Sequence, residues 1–267
     1  MIELSLDEIR KIELDILSVF NDFCIRNNIE YYLSNGTLLG AIKYRGYIPW
    51  DDDIDVLVPR ADYDRLISLF KDSDRYQLFA FEKNRKYHFP FAKLCDMTTF
   101  KREENVIDHL KLGVDIDIFP LDAWDDNIVK AEKEVSKIRK LMLCLVLAKR
   151  KKLSSSHWAK QAVKCAIVTL CKICGGGLFV RKIIRASKRP NKNHSKYCGC
   201  KSWCIYGTRE IIPAEVFADT VQVEFEGSLF PAPVGYDTYL RSLYGDYEKD
   251  PPKEKQKSHH RFRAYRR

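Results

Sequence analysis

Residues 50–58 read Trp-Asp-Asp-Asp-Ile-Asp-Val-Leu-Val, four aspartates within five positions followed at once by an apolar run. Carboxylates this close resist ionising together unless a cation joins them, so the cluster points to a hard divalent ion. The apolar residues Ile54, Val56 and Val58 alternate with Asp53 and Asp55. That is strand periodicity, and it predicts both aspartates on one face, about 7 Å apart. A calcium loop of the EF-hand type also alternates aspartates. Here, however, Val56 stands where such a loop requires glycine, and Asp62 where it requires a bidentate glutamate, which excludes it.

A second acidic strand follows at Gly113-Val114-Asp115-Ile116-Asp117-Ile118-Phe119-Pro120, with Asp115 and Asp117 opposite the apolar positions. Upstream, the run from Tyr31 through Ser34, Asn35, Gly36 and Thr37 to Gly40 reads as a strand, a glycine turn and the start of a helix. Such a turn lets backbone N–H groups approach a phosphate, with the Thr37 hydroxyl and the helix dipole in support. Glycine turn, Asp-x-Asp and third strand aspartate occur in that order within the first half of the chain.

This order resembles the nucleotidyltransferase superfamily. The fuller text SNGTLLGAIKYRGYIPWDDDID, FAKLCD, IDIFPLD and PAPVGYDTYLRSLYGDYEKDPP, with His259 and His260, resembles the LicD family of bacterial phosphocholine transferases. The likeness covers residues 31–60, 88–124 and 205–260 and is poor over 125–200. Fukutin-related ribitol-phosphate transferases share the core motifs. The resemblance implies transfer of phosphocholine or a related phospho-alcohol from CDP-choline or another CDP-linked donor. The acceptor would be a hydroxyl of a glycan or teichoic acid precursor, with release of CMP and dependence on Mg2+ or Mn2+.

It further implies Asp53, Asp55 and Asp117 as metal ligands, with Asp117 alternatively taking the proton of the attacking hydroxyl. Lys93 would neutralise phosphate charge, and Gly36 and Thr37 would face the donor phosphates. Asp51 and Asp52 would support the site, while His259 and His260 would contact phosphate or acceptor. Asp115 departs from the family's apolar residue. A quaternary ammonium calls for aromatic faces. Trp50, Tyr236, Tyr239, Tyr244 and Tyr247 supply candidates, of which Tyr244 and Tyr247 are assigned to donor binding.

At 267 residues the chain can bury a sizeable core. The expected fold is α/β, a nucleotidyltransferase-like mixed sheet carrying a basic helical insertion. Its expected parts are a catalytic core over 1–124, a basic helical segment over 125–200 and a C-terminal part over 201–267 that completes the cleft. Ser5-Leu6-Asp7-Glu8 predicts a capping box opening a helix with Ile9, Ile12, Ile16, Phe20, Phe23 and Cys24 inward. A strand pair is expected around the turn Glu226-Gly227-Ser228, with a helix from Gly235 to Leu243. The opening residues do not read as a basic, apolar leader, so a cytoplasmic protein is the expectation.

Nine cysteines, an odd number, argue for reduced thiols. The pairs Cys171-x-x-Cys174 and Cys198-x-Cys200-x-x-x-Cys204 raise zinc, but the second hook's spacing is foreign to structural zinc sites, and zinc is not expected. The formal charge of +9 hides an asymmetry: residues 130–192 hold 18 Lys and Arg against Glu132 and Glu134. A basic, amphipathic, non-spanning segment fits an anionic membrane surface, here the inner face. Its few aromatics argue against nucleic acid. Two other readings are a nucleotidyltransferase that releases pyrophosphate and a non-enzymatic, membrane-associated polyanion-binding protein.

Overall fold

The structure, a computed structural model, describes residues 2–103, 110–150, 158–188, 195–257 and 262–267, with residues 158–164 described by backbone alone. The first half runs β1 (Ile2–Glu3), α1 (Leu6–Asn27), β2 (Tyr32–Leu33), α2 (Asn35–Tyr44), β3 (Asp55–Pro59), α3 (Arg60–Leu69), β4 (Tyr76–Phe79), β5 (Ala92–Asp96), β6 (Thr99–Glu103) and β7 (Val114–Ala123). Three helices follow, α4 (Ile128–Lys149), α5 (Trp158–Cys174) and α6 (Gly176–Ser187). The remainder comprises β8 (Tyr197–Gly199), β9 (Ile212–Pro213), β10 (Thr220–Phe225), β11 (Ser228–Pro233), α7 (Tyr236–Tyr244) and β12 (Phe262–Arg266).

The central sheet is mixed, in the order β2-β3-β7-β5-β4, with β8 and β9 continuing from the far end of β7. Only β3 and β7 run parallel within it, and that pairing sets Asp55 directly opposite Asp117. On the other side of β7, antiparallel β5 sets Lys93 opposite the same Asp117. The strand between them is buried along most of its length, as expected for a central strand flanked on both edges.

Helix α1 packs against β7 and β5. Its capping box is complete, with Ser5 and Glu8 satisfying each other's backbone donors, and Ile9, Ile12, Ile16, Phe20 and Cys24 point inward. Glu13 shares that buried face, an acid among hydrophobes. The anticipated strand pair is β10–β11, turned at Glu226 (φ 51°) and Gly227 (φ 75°), where two successive left-handed residues match the twist of a tight hairpin. The helix after Gly235 is α7.

The Asp-x-Asp segment departs from the sequence reading in one respect. Strand β3 starts at Asp55, so Asp53 lies in the preceding loop rather than on the same strand face. Alternation alone could not reveal this, because the loop over 49–54 is tied down from outside: Arg10 of α1 donates to the carbonyls of Ile48 (3.0 Å), Pro49 (3.0 Å) and Asp51 (2.6 Å). All nine cysteines are free thiols. Among the described residues, no helix is long and apolar enough to cross a membrane.

Candidate active site

The short β2 leads through Ser34 into α2, and the first turn of α2 lies beside the start of β3. The N–H of Asp55 donates to Thr37 Oγ1 at 2.8 Å, and the N–H of Ser34 donates to the carbonyl of Asp55 at 3.0 Å. Thr37 is therefore a buried clamp between α2 and β3. Gly36 is the residue that faces the cavity, and its lack of a side chain matters: a Cβ there would stand 2.5 Å from Asp51 Oδ2.

The carboxylates of Asp51, Asp52 and Asp53 each offer an oxygen within 4.8 Å of the others. Asp55 adjoins this trio. Its Oδ2 accepts from Asn35 Nδ2 at 3.1 Å, whereas its buried Oδ1 has no hydrogen-bond partner among the described residues. Burial first, then the charges of Asp53 and Asp117, push the Asp55 carboxyl well above the ordinary carboxylate range. An orphaned buried oxygen beside three clustered carboxylates is costly for the bare protein and fits a hard divalent cation with oxygen ligands.

Asp117 and Asp115 project from the same face of β7 into a buried charge network. Lys93 Nζ bonds Asp115 at 2.7 Å and also pairs with Asp117, and Lys101 Nζ reaches Asp115 at 3.2 Å. Burial raises the Asp117 carboxyl to about 6 despite the opposing charge of Lys93. For Asp115, burial is outweighed by Lys101 and Lys93, and its carboxyl falls below the usual value. Two ammonium groups thus explain why this strand tolerates an acid where an apolar residue would do. Lys93 itself is buried, and its ammonium is engaged by both carboxylates.

The cleft opens into a cavity of about 860 Å³ whose lining includes Gly36, Asp51, Asp53 and Asp55. Trp50, Tyr44, Tyr206, Tyr244 and Tyr247 form its aromatic walls, and Lys43, Lys249, Lys255 and Lys257 also border it. Tyr206 and Tyr244 meet edge to face with ring centroids 5.3 Å apart, and the Tyr206 hydroxyl donates to that of Tyr244 at 2.9 Å. Tyr239 and Tyr236 stand outside the lining; the Tyr239 hydroxyl instead bonds Asn35 Oδ1 at 3.1 Å.

The structure therefore brings Gly36, Asp51, Asp53, Asp55, Tyr244 and Tyr247 to one cavity. Asp117 lies beside Asp55, and Asp52, Thr37 and Lys93 lie behind. His259 and His260 lie outside the described residues. Asn35, Arg10, Tyr206 and Lys43 escaped sequence reasoning. Of these only Asn35 carried a signal, standing at the turn next to Gly36; in the structure it takes a left-handed φ of 46°.

Glu13 was also missed. Its Oε2 accepts from the Tyr47 hydroxyl at 3.2 Å, its Oε1 has no partner among the described residues, and burial drives its carboxyl well up. It lies behind the site, where Lys101 opposes that rise and Asp53 and Asp115 add to it.

Residues 28–142 match the family model described as the LicD/FKTN/FKRP nucleotidyltransferase domain. The lipopolysaccharide cholinephosphotransferase LicD of Haemophilus influenzae is 31% identical to this chain over 99% of both proteins. Uncharacterized proteins of Rickettsia typhi and Rickettsia prowazekii are each 28% identical, over 40% and 32% of this chain respectively. The matched region contains Gly36, the four aspartates of 51–55, Lys93 and Asp117.

Proposed function

The chain belongs to the LicD family, and from that membership we propose that it transfers phosphocholine from CDP-choline to a hydroxyl of a lipopolysaccharide-type glycan precursor, releasing CMP, on a nucleotidyltransferase-like core. The observation that carries this reading is the meeting of acids and aromatics in one cavity. Asp51, Asp53 and Asp55 line it together with Trp50, Tyr44, Tyr206 and Tyr244. A diphosphate can approach clustered carboxylates only through a cation, and a trimethylammonium group is best received by aromatic faces.

Mg2+ or Mn2+, held by Asp53 and Asp55 with Asp51, Asp52 or Asp117 completing the set, would supply charge neutralisation to the diphosphate. The chain's own groups account for the rest. Gly36 leaves room for a phosphate beside Asp51. The acceptor oxygen attacks the phosphorus nearer choline while its proton passes to the Asp117 carboxylate. The bond from that phosphorus to the bridging oxygen breaks, and CMP departs with the electron pair. A carboxyl raised to about 6 is close to the value a base needs near neutrality. Lys93 is a positioning residue in this scheme: it fixes Asp117 and stops Asp115 from repelling it. Phosphate charge falls instead to Lys255 and Lys257 of the cavity, since Lys43 and Lys249 are ion-paired with Asp250 and Asp246.

The test is CMP release from CDP-choline, CDP-ribitol and CDP-glycerol with Mg2+ and a lipooligosaccharide acceptor, comparing wild type with Asp53→Ala. CMP from CDP-choline, lost in the variant, supports the proposal. CMP from a different donor alone corrects the alcohol. Pyrophosphate released from a nucleoside triphosphate, with no CMP from any donor, would sink the transfer reading in favour of nucleotidyl transfer.

A further inference from the structure

Away from the cleft, α5 has apolar residues on both of its faces. Val168 and Cys171 are buried where the helix packs on α4 and α6. On the outward side Ile167, Leu170 and Ile173, spaced three residues apart, are 47%, 61% and 78% exposed. A helix of a water-soluble layer normally turns polar residues outward, whereas this outer stripe is left uncovered among the described residues.

The two helices packed on α5 are rich in cations, and Glu132 is the one exposed acid among their described residues. Helix α6 exposes Arg181, Lys182 and Arg185 and contains no acid. Helix α4 exposes Lys133, Lys137, Arg139 and Lys140. Of the two acids in this region, Glu134 is engaged by Lys201 at 2.9 Å. A second copy of the chain would bring the same positive surface against itself, which charge disfavours. Anionic lipid satisfies both features together: acyl chains receive the stripe, and headgroup phosphates receive the cations.

We propose that the outer face of α5 seats on an anionic lipid surface, with Ile167, Leu170 and Ile173 entering the headgroup–acyl boundary and the α6 cations Arg181, Lys182 and Arg185 contacting lipid phosphates. The helix lies on the membrane and does not span it. This surface is independent of the transfer chemistry: flotation can succeed where CMP release fails, and the reverse.

The test is flotation of the full chain with phosphatidylcholine vesicles made with and without phosphatidylglycerol. The variants are Leu170→Ser/Ile173→Ser and Arg181→Gln/Lys182→Gln/Arg185→Gln, each checked for folding by circular dichroism. Wild type is expected to float with the anionic vesicles only. The apolar variant should lose about tenfold or more in partition coefficient, and the charge variant about fivefold for each cation engaged. All substituted side chains are exposed, so both variants are expected to fold; if one does not, the other still decides. Equal partition onto both vesicle types, no flotation of wild type, or folded variants that float like wild type would each overturn the proposal. So would a lipid-free dimer that the apolar variant converts to monomer, since the stripe would then be an interface between copies.

Discussion

Asp55 and Asp117 face each other across the parallel pair β3–β7, yet among the described residues only Asp117 is met by a cation. The register makes Asp117 the middle of three: Asp55 on one neighbouring strand, Lys93 on the other. Lys93 compensates Asp117 and Asp115, while one Asp55 oxygen has no hydrogen-bond partner among the described residues. The strand pairing therefore leaves a buried Asp55 oxygen without a partner among the described residues, beside the Asp51, Asp52 and Asp53 cluster.

That cost should be measurable without substrate. Asp55→Asn removes a buried charge that burial and three neighbouring aspartates, Asp53, Asp117 and Asp51, oppose, and keeps the backbone bond to Thr37. The metal-free variant is expected to unfold at the same or a higher temperature than wild type, a gain of about 1 kcal/mol. Mg2+ should raise the unfolding temperature of wild type and not of the variant. Turnover should fall by at least about a hundredfold, the scale of losing several kcal/mol of charge stabilisation. Differential scanning calorimetry with and without Mg2+ checks the first two outcomes. A variant less stable than wild type in the absence of metal would show that Asp55 is compensated.

Gly36 separates helix propensity from function. Alanine in a helix ordinarily gains about 1 kcal/mol over glycine, but here its Cβ would meet Asp51 Oδ2 at 2.5 Å and displace that carboxylate. Gly36→Ala should leave thermal stability within about 1 kcal/mol of wild type and weaken Mg2+ binding, read by isothermal titration. Unchanged metal affinity would remove Asp51 from the site.

Much of this was legible because strand period and capping chemistry are local. The two acidic strands, the α1 capping box and the β10–β11 hairpin follow from side chains within a few residues of one another. What stayed hidden depends on contacts between distant segments. Arg10 fixes the 48–51 loop from another element, and no local pattern marks it. Asp115 looked anomalous because its partners, Lys93 and Lys101, come from β5 and β6. Tyr206 lies in an irregular segment with no periodicity, and only its packing on Tyr244 reveals it. Thr37, read from the turn as a phosphate contact, also accepts the Asp55 N–H on its oxygen, a tie to β3 that the turn alone does not show.

The Tyr206–Tyr244 pair offers a test of donor choice. If their rings receive the trimethylammonium group, Tyr206→Leu and Tyr244→Leu should each raise KM for CDP-choline by about three- to thirtyfold, the range of one cation–π contact. KM for CDP-glycerol, which carries no cation, should change much less. Competition assays with choline and glycerol donors measure the ratio directly. Equal losses for both donors would mean that the tyrosines shape the cavity without reading the ammonium.

Glu210 gives the chain a pH signature outside the aspartate cluster. It ends a 3-10 turn at Gly207–Glu210, is buried, and takes backbone N–H groups of Tyr206 and Cys200, with Oε2 unpartnered among the described residues. Burial, only partly offset by those two donors, raises its carboxyl from 4.5 to about 8. The folded chain therefore holds this proton more tightly than the unfolded chain does. Its contribution to stability is fully present below 4.5 and is lost as pH rises through about 8. Glu210→Gln keeps an acceptor for the backbone donors and cannot ionise. The variant should thus show a flatter unfolding temperature between pH 5 and pH 9, and should exceed wild type at the upper end. Parallel profiles for the two proteins would show that Glu210 does not titrate in this range.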